Sequence, residues 1–401
     1  MRLHELRQMV GVHRPQLAPV KRTLARCHDI ADLEAAARRR MPRAVFDYVA
    51  GGADEELTVE RNVAAFRRWH FVPQNLRDVG EVDTVVELLG QRAAMPLLFS
   101  PTGYTRMMHP AGECAVARAA RRAGIPYGLS TVASTSIEEL AATGHPNLWF
   151  QLYVWRDRGL VADLLDRAWE HGYRTLEVSV DVPVSGHRTR DVRSGLTIPP
   201  RLTVHTLIGI ARHPGWWVRA LRAPVVRFAN PPPGVASSGL TIEDITAQFD
   251  PSVSWRDLEE LRTRWPGQLV LKGAIGADDA RRAIAAGCDG LHLSNHGGRQ
   301  LDRTIPPVDL LGEVRDAVGD EPAIIVDSGI RHGADLAVAI ALGADAGAVG
   351  RAYLYGLMAA GEPGVNRAAT ILDTQFRRTL QLLGVASIQE LRAVGPTLLR
   401  R

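Results

Sequence analysis

The feature that most constrains this chain is a unit that recurs eight times. A short apolar run ends on a polar residue or a glycine, and an amphipathic helical stretch follows. The runs are MPLLFSP from Met95, PYGLST from Pro126, LWFQLY from Leu148 and TLEVSVD from Thr175, then QLVLKG from Gln268, GLHLSN from Gly290, AIIVDS from Ala323 and AGAVGR from Ala346. Stretches such as ECAVARAARRAG and ADDARRAIAAG lie between them. Runs this continuously apolar belong to strands covered on both faces, and strands alternating with helices build a parallel sheet. Eight such units predict an α/β fold, a closed TIM (β/α)8 barrel.

The spacing also sets the organisation. The 401 residues read as one domain: 1–94 an N-terminal helical segment, 95–360 the barrel, and 361–401 C-terminal helices. Residues 29–69 read as two amphipathic helices broken at Ala50-Gly51-Gly52-Ala53, with Tyr48 just before the break. Residues 182–267 exceed what one crossover helix needs, so a long insertion follows the fourth strand. It is rich in proline, glycine and tryptophan, its first part is basic, and Trp216 and Trp217 are adjacent. Insertions on this face are lids or binding surfaces. A lid packed on its own barrel or on a neighbouring subunit is the expected arrangement, with an interfacial amphipathic segment as the alternative.

Composition excludes several classes. Lys plus Arg is 48 against Asp plus Glu 44, and that small excess makes no case for nucleic acid. The pI near 9.2 suits an acidic substrate or an anionic membrane surface. Cys27, Cys114 and Cys288 are too few and too scattered for a disulfide framework or a zinc site, so no metal is expected. The first residues lack the apolar core of a secretory signal, and no run reaches the ~18 apolar residues of a membrane span. The expected location is the cytoplasm, with any membrane contact peripheral, at the inner face.

Barrels of this kind carry their chemistry at the C-terminal ends of the strands. Those ends read Ser100-Pro101-Thr102, Ser130-Thr131, Gln151 with Tyr153, Ser179 with Asp181, Lys272-Gly273, Ser294-Asn295-His296, Asp327-Ser328-Gly329 and Gly350-Arg351. Eight ends in hydrogen-bonding groups predict a ligand-filled mouth. In DSGIRHG and GRAYLYG, glycines let backbone N–H groups approach a phosphate, and Arg331 and Arg351 add charge. The string LSNHGGRQLD, Leu293 to Asp302, sets a histidine base beside an arginine suited to a carboxylate. His292 reads as a satisfied core histidine.

These motifs, from about Asp29 to Leu383, resemble the FMN-dependent L-2-hydroxy-acid dehydrogenases and oxidases. The family includes glycolate oxidase, flavin L-lactate dehydrogenases and lactate monooxygenase, and the likeness is greatest to the bacterial L-lactate dehydrogenases. SNHGGRQLD is its most specific string, and FDYVAGGADEE, SPTG, FQLYVWRDR, GHRTRD, LVLKG, DSGIRHG and VGRAYLYG recur in order. The resemblance implies FMN as cofactor. It implies His296 as the base, Asp181 as its partner, Arg188 and Arg299 as carboxylate binders, and Tyr48 and Tyr153 as hydroxyls about the substrate. It implies Lys272 near the flavin pyrimidine edge, and Pro101, Thr102, Gly103, Ser130, Gln151, Ser179 and Ser294 around the ring. Asp327, Gly329, Arg331, Gly350 and Arg351 are implied for ribityl and phosphate.

The implied reaction oxidises an L-2-hydroxy acid, L-lactate first, to the 2-keto acid. Electrons pass to a quinone, another acceptor or oxygen, and both a carbanion and a hydride route stay open. The alternatives are a mandelate-like acid and a peptide-derived cofactor precursor, the latter disfavoured because Arg299 is retained. A non-enzymatic flavin-binding scaffold is disfavoured by the intact set of site residues. Family likeness also implies a homotetramer. Gly103 stands where many relatives have alanine, Ser179 where threonine is commoner, and Val132 where glycolate oxidase has tryptophan.

Overall fold

The eight apolar runs are eight strands of one closed parallel barrel. They are β1 (Leu97–Phe99), β2 (Tyr127–Ser130), β3 (Leu148–Leu152), β4 (Thr175–Ser179), β5 (Gln268–Gly273), β6 (Gly290–Leu293), β7 (Ala323–Val326) and β8 (Ala346–Val349). The computed structural model describes residues 18–195, 213–221, 226–230 and 247–401. Each strand pairs with the next, and β8 returns to β1 with Gly347 opposite Leu97. The strands are short and almost wholly buried, because helices cover the outside and side chains fill the inside.

The interior is a plug, not a pore. Leu98, Trp149, Val270, Ile325 and Ala346 meet at its base together with Leu88. Leu88 belongs to a hairpin, Val86–Leu88 with Gln91–Ala93, inside the stretch read from sequence as helical. Its turn residues Leu89 (φ 50) and Gly90 (φ 72) both lie in the left-handed region, the conformation that closes a two-residue hairpin. A leucine at the first of these positions hid the turn.

The N-terminal segment differs from expectation in a second way. Three helices form instead of two: Ile30–Arg40, Arg43–Ala50 and Leu57–Arg67. The extra break falls at Met41, which takes extended backbone (φ −97, ψ 145) because the residue before a proline is driven out of the helical region. At the far end, Leu399–Arg400 pairs antiparallel with His70–Phe71, so the C-terminal helices Glu362–Leu383 and Ile388–Leu398 are tied back to the start of the barrel.

Part of the insertion lies outside the described residues, namely 196–212, 222–225 and 231–246. What is described packs on the chain's own barrel. The helix Pro214–Leu221 presents Trp216, whose indole N–H donates to the Met107 carbonyl at 3.3 Å. Phe228 meets Tyr104 edge to face at 4.5 Å, and the helix Trp255–Arg264 is the crossover to β5. Among the described residues no helix is long and apolar enough to cross a membrane.

Candidate active site

The loops after the strands, the Tyr48 helix end and the insertion enclose an open cleft at the barrel mouth with about 1210 Å³ of empty space. Tyr48, Tyr153, Arg188, His296 and Arg299 line it. So do Pro101, Thr102, Gly103, Lys272, Asp327, Gly329, Arg331, Gly350 and Arg351. Ser130, Gln151 and Ser179 sit in the strands beside it as a ladder: Ser130 Oγ donates to Gln151 Oε1 at 2.9 Å, and Gln151 Nε2 donates to Ser179 Oγ at 3.1 Å. Ser294 accepts from Lys272 Nζ and from the His296 backbone N–H, each at 3.0 Å.

Asp181, His296 and Tyr153 form a line. His296 Nδ1 lies 3.3 Å from Asp181 Oδ2, and its Nε2 lies 3.3 Å from the Tyr153 hydroxyl. Burial pushes the Asp181 carboxyl up, but His296 and Lys272 outweigh it and hold it below its ordinary value. An ionised carboxylate only accepts, so Nδ1 carries the imidazole hydrogen and Nε2 keeps its lone pair. Burial lowers the His296 pKa below the usual histidine value, and Lys272 and Arg188 add to it, against the opposing pull of Asp181. At neutral pH this imidazole is a base with its lone pair turned to the cleft. Burial also keeps the Tyr153 phenol protonated, far above its ordinary range.

The backbone at this point is strained. His296 has φ 58, a left-handed conformation that costs a non-glycine residue about 1–2 kcal/mol. Gly297 (φ 65) and Gly298 (φ 75) continue the turn. A Cβ on Gly298 would stand 2.8 Å from the Val59 nitrogen, so glycine lets the helix Leu57–Arg67 close on the loop. Asp302, the last residue of the string, accepts from the backbone N–H groups of Glu55, Leu57 and Thr58. It supplies the cap that this helix lacks at Glu56 and thereby fixes the N-terminal segment over the mouth.

Four cleft arginines, Arg188, Arg299, Arg331 and Arg351, form no salt bridge among the described residues. Among the described residues the buried Nε of Arg188 has no hydrogen-bond partner. The Arg299 guanidinium lies 4.8 Å from the Tyr48 ring centroid and donates to the Tyr48 and Gly51 carbonyls. Burial first, then the neighbouring Arg188, lower its pKa. Arg351 donates to the Val49, Gly51 and Gly297 carbonyls, leaving part of its fork unused. Half-buried cations without a salt bridge are favourable partners for an anionic ligand.

A family model described as FMN-dependent dehydrogenase matches residues 37–399. The chain belongs to the FMN-dependent dehydrogenase family. A Mycobacterium tuberculosis protein named as a candidate L-lactate dehydrogenase is 47% identical over 401 residues, covering 100% of this chain and 96% of that one. The L-lactate dehydrogenase of Caulobacter vibrioides is 42% identical over 366 residues, covering 90% and 95%. The crystal structure of the monotopic membrane protein (S)-mandelate dehydrogenase superposes with a TM-score of 0.88 at 39% identity, covering 93% of this chain and 99% of that one.

FMN is therefore the cofactor of this FMN-dependent dehydrogenase, and the residues present fit it. Among the described residues Arg331 and Arg351 form no salt bridge and so offer charge to a phosphate, and the buried Ser100 Oγ has no hydrogen-bond partner. Lys272 offers a buried ammonium to an electron-rich edge. Burial would lower its pKa, but Asp181, Asp327 and Glu177 outweigh burial and keep it charged. One wall shows why the departure at Gly103 is tolerated: a Cβ there would stand 2.7 Å from Val132 Cγ2 and 3.1 Å from the Val132 carbonyl oxygen. Gly103→Ala is expected to destabilise the fold by about 1–3 kcal/mol. Adding Val132→Ala is expected to restore much of it. Melting curves of the two variants check this, and an unchanged melting temperature in the single variant refutes the clash.

Sequence reading missed several wall residues. Phe249 stacks on Tyr153 at 4.7 Å from the end of the insertion, far from any strand. Val182 and Gln300 line the cleft without having been named, although Val182 lies in the string VDVP and Gln300 inside SNHGGRQLD.

Proposed function

We propose that this enzyme oxidises an L-2-hydroxy acid, L-lactate foremost, to the 2-keto acid. One observation carries the reading: the Asp181–His296–Tyr153 line faces the same cleft as two arginines that form no salt bridge among the described residues. Arg188 and Arg299 pair with the substrate carboxylate, and Tyr48, which lines the same cleft, hydrogen-bonds the same group. Tyr153 meets the 2-hydroxyl. His296 Nε2 takes the proton, and Asp181 stabilises the imidazolium so formed. Bound FMN supplies the acceptor for the two electrons, held by Asp327, Gly329, Arg331, Gly350 and Arg351 at its phosphate end and by Pro101, Thr102, Gly103, Ser130, Gln151, Ser179, Ser294 and Lys272 at its ring. A quinone or oxygen then takes the electrons.

The lactate reading draws on the relatives from Mycobacterium tuberculosis and Caulobacter vibrioides. The mandelate-like alternative draws on the structural neighbour and on Val132, a small residue in the cleft wall. Anaerobic mixing of the oxidised holoenzyme with a panel of hydroxy acids decides between them. L-Lactate is expected to bleach the flavin faster than mandelate at equal concentration. Bleaching by mandelate with none by lactate removes lactate as the substrate.

The domain reading is that residues 1–401 act as one catalytic unit, since Tyr48 from the N-terminal segment and Arg188 from the insertion share one cleft. The monotopic neighbour supports a peripheral membrane contact. Family likeness supports a homo-oligomer in the cytoplasm.

A further inference from the structure

Between the apolar plug and the cleft, the barrel interior becomes charged. Glu177 on β4 and His292 on β6 are both fully buried, and neither lines the cleft. His292 Nδ1 lies 2.7 Å from Glu177 Oε2 in a hydrogen bond. Its Nε2 makes an ion pair with Asp327 Oδ2 at 3.2 Å, without hydrogen-bond geometry. Asp327 does line the cleft, and its other oxygen accepts the Ser328 hydroxyl. Lys272 on β5 is the register partner of His292. Two cations, Lys272 and His292, thus face three carboxylates, Glu177, Asp181 and Asp327. Burial alone would lower the His292 pKa, but Glu177 and Asp327 outweigh it and push it up to about 9, so the ring is an imidazolium at neutral pH. The expectation of an ordinary core histidine is met in place but not in charge.

Stability does not account for this pair. A buried ion pair replaced by well-packed apolar residues usually leaves a protein as stable or more so. Among the described residues Glu177 also keeps one buried oxygen, Oε1, without a hydrogen-bond partner, which an apolar strand residue would avoid. What the pair does is reach Asp327. We propose that His292 is a positioning residue for the FMN site: held by Glu177, it fixes the Asp327 carboxylate at the cleft wall and adds a second positive charge beside Lys272. The proposal rests on the assignment of Asp327 to the FMN side of the cleft.

Two variants and one control test it. Glu177→Leu with His292→Ile replaces the pair by apolar residues of similar size. Its apoprotein is expected to melt at or above the temperature of the unsubstituted apoprotein, while FMN binds about tenfold more weakly because Asp327 loses its ion pair. His292→Gln keeps a donor toward Glu177 but removes the charge, and the midpoint potential of its bound flavin is expected to fall. Unchanged FMN affinity in the double variant overturns the proposal, and so does an unchanged potential in His292→Gln. Should His292→Gln fail to fold, the double variant decides alone. Asp327→Ala is the control and is expected to weaken FMN at least as much. If Asp327→Ala retains FMN normally, the cofactor-site assignment fails and takes the proposal with it. If only the double variant does, the assignment stands and the role of His292 falls.

Discussion

His296→Ala is expected to bind FMN normally and to be reduced by L-lactate roughly a hundred- to ten-thousand-fold more slowly than the unsubstituted enzyme. The expectation follows from the pairing around the ring. Asp181 fixes the imidazole hydrogen on Nδ1, and burial keeps the ring neutral, so Nε2 is the acceptor that faces the cleft. Removing the ring leaves Tyr153, whose phenol stays protonated and does not substitute as a base. The same pairing sets the pH dependence. In the proposed reaction the active form is the neutral imidazole, and its pKa lies below the ordinary histidine value. Hence kcat/KM should hold steady from neutral pH downward and fall only once the pH passes below the range of a free histidine. Anaerobic stopped-flow reduction across pH measures both effects. Normal reduction of FMN in His296→Ala removes this residue from the chemistry, and an acid limb well above the ordinary histidine value contradicts the role of burial.

The barrel was legible because its signal repeats. Eight apolar runs at strand length, each closing on a hydrogen-bonding residue, leave few other folds open. The ends of those runs also delivered most of the site, because a barrel brings all eight ends to one face. What stayed hidden was pairing between residues far apart in the chain. Asp302 caps a helix that begins at Leu57, a separation of 245 residues. Glu177 and His292 are 115 residues apart, and each alone reads as an odd polar residue in an apolar strand. Phe249 reaches Tyr153 only because an insertion folds back over the mouth, and nothing local to Phe249 marks that return. The hairpin that carries Leu88 was hidden for a different reason. Its turn needs two residues at positive φ, and the first of them is a leucine.

Arg188→Leu and Arg299→Leu should each lower kcat/KM for L-lactate, and comparing them separates substrate binding from structural support. A buried carboxylate that loses one arginine partner loses about 3–5 kcal/mol, which corresponds to roughly a few hundred- to a few thousand-fold. The buried Nε of Arg188 has no hydrogen-bond partner among the described residues, so Arg188→Leu should leave the melting temperature nearly unchanged. Arg299 also donates to the Tyr48 and Gly51 carbonyls, so Arg299→Leu should lose stability as well as activity. The charge of the substrate provides the internal control. Lactamide has the hydroxyl and the C2 hydrogen but no carboxylate. Its reaction should be slow in the unsubstituted enzyme, and Arg188→Leu should slow it little further. With lactate the same substitution removes most of the rate. If Arg188→Leu slows lactamide as much as lactate, this arginine acts on the fold or on FMN. The two unpaired guanidinium groups would then not be the carboxylate clamp on which the choice of a hydroxy acid depends.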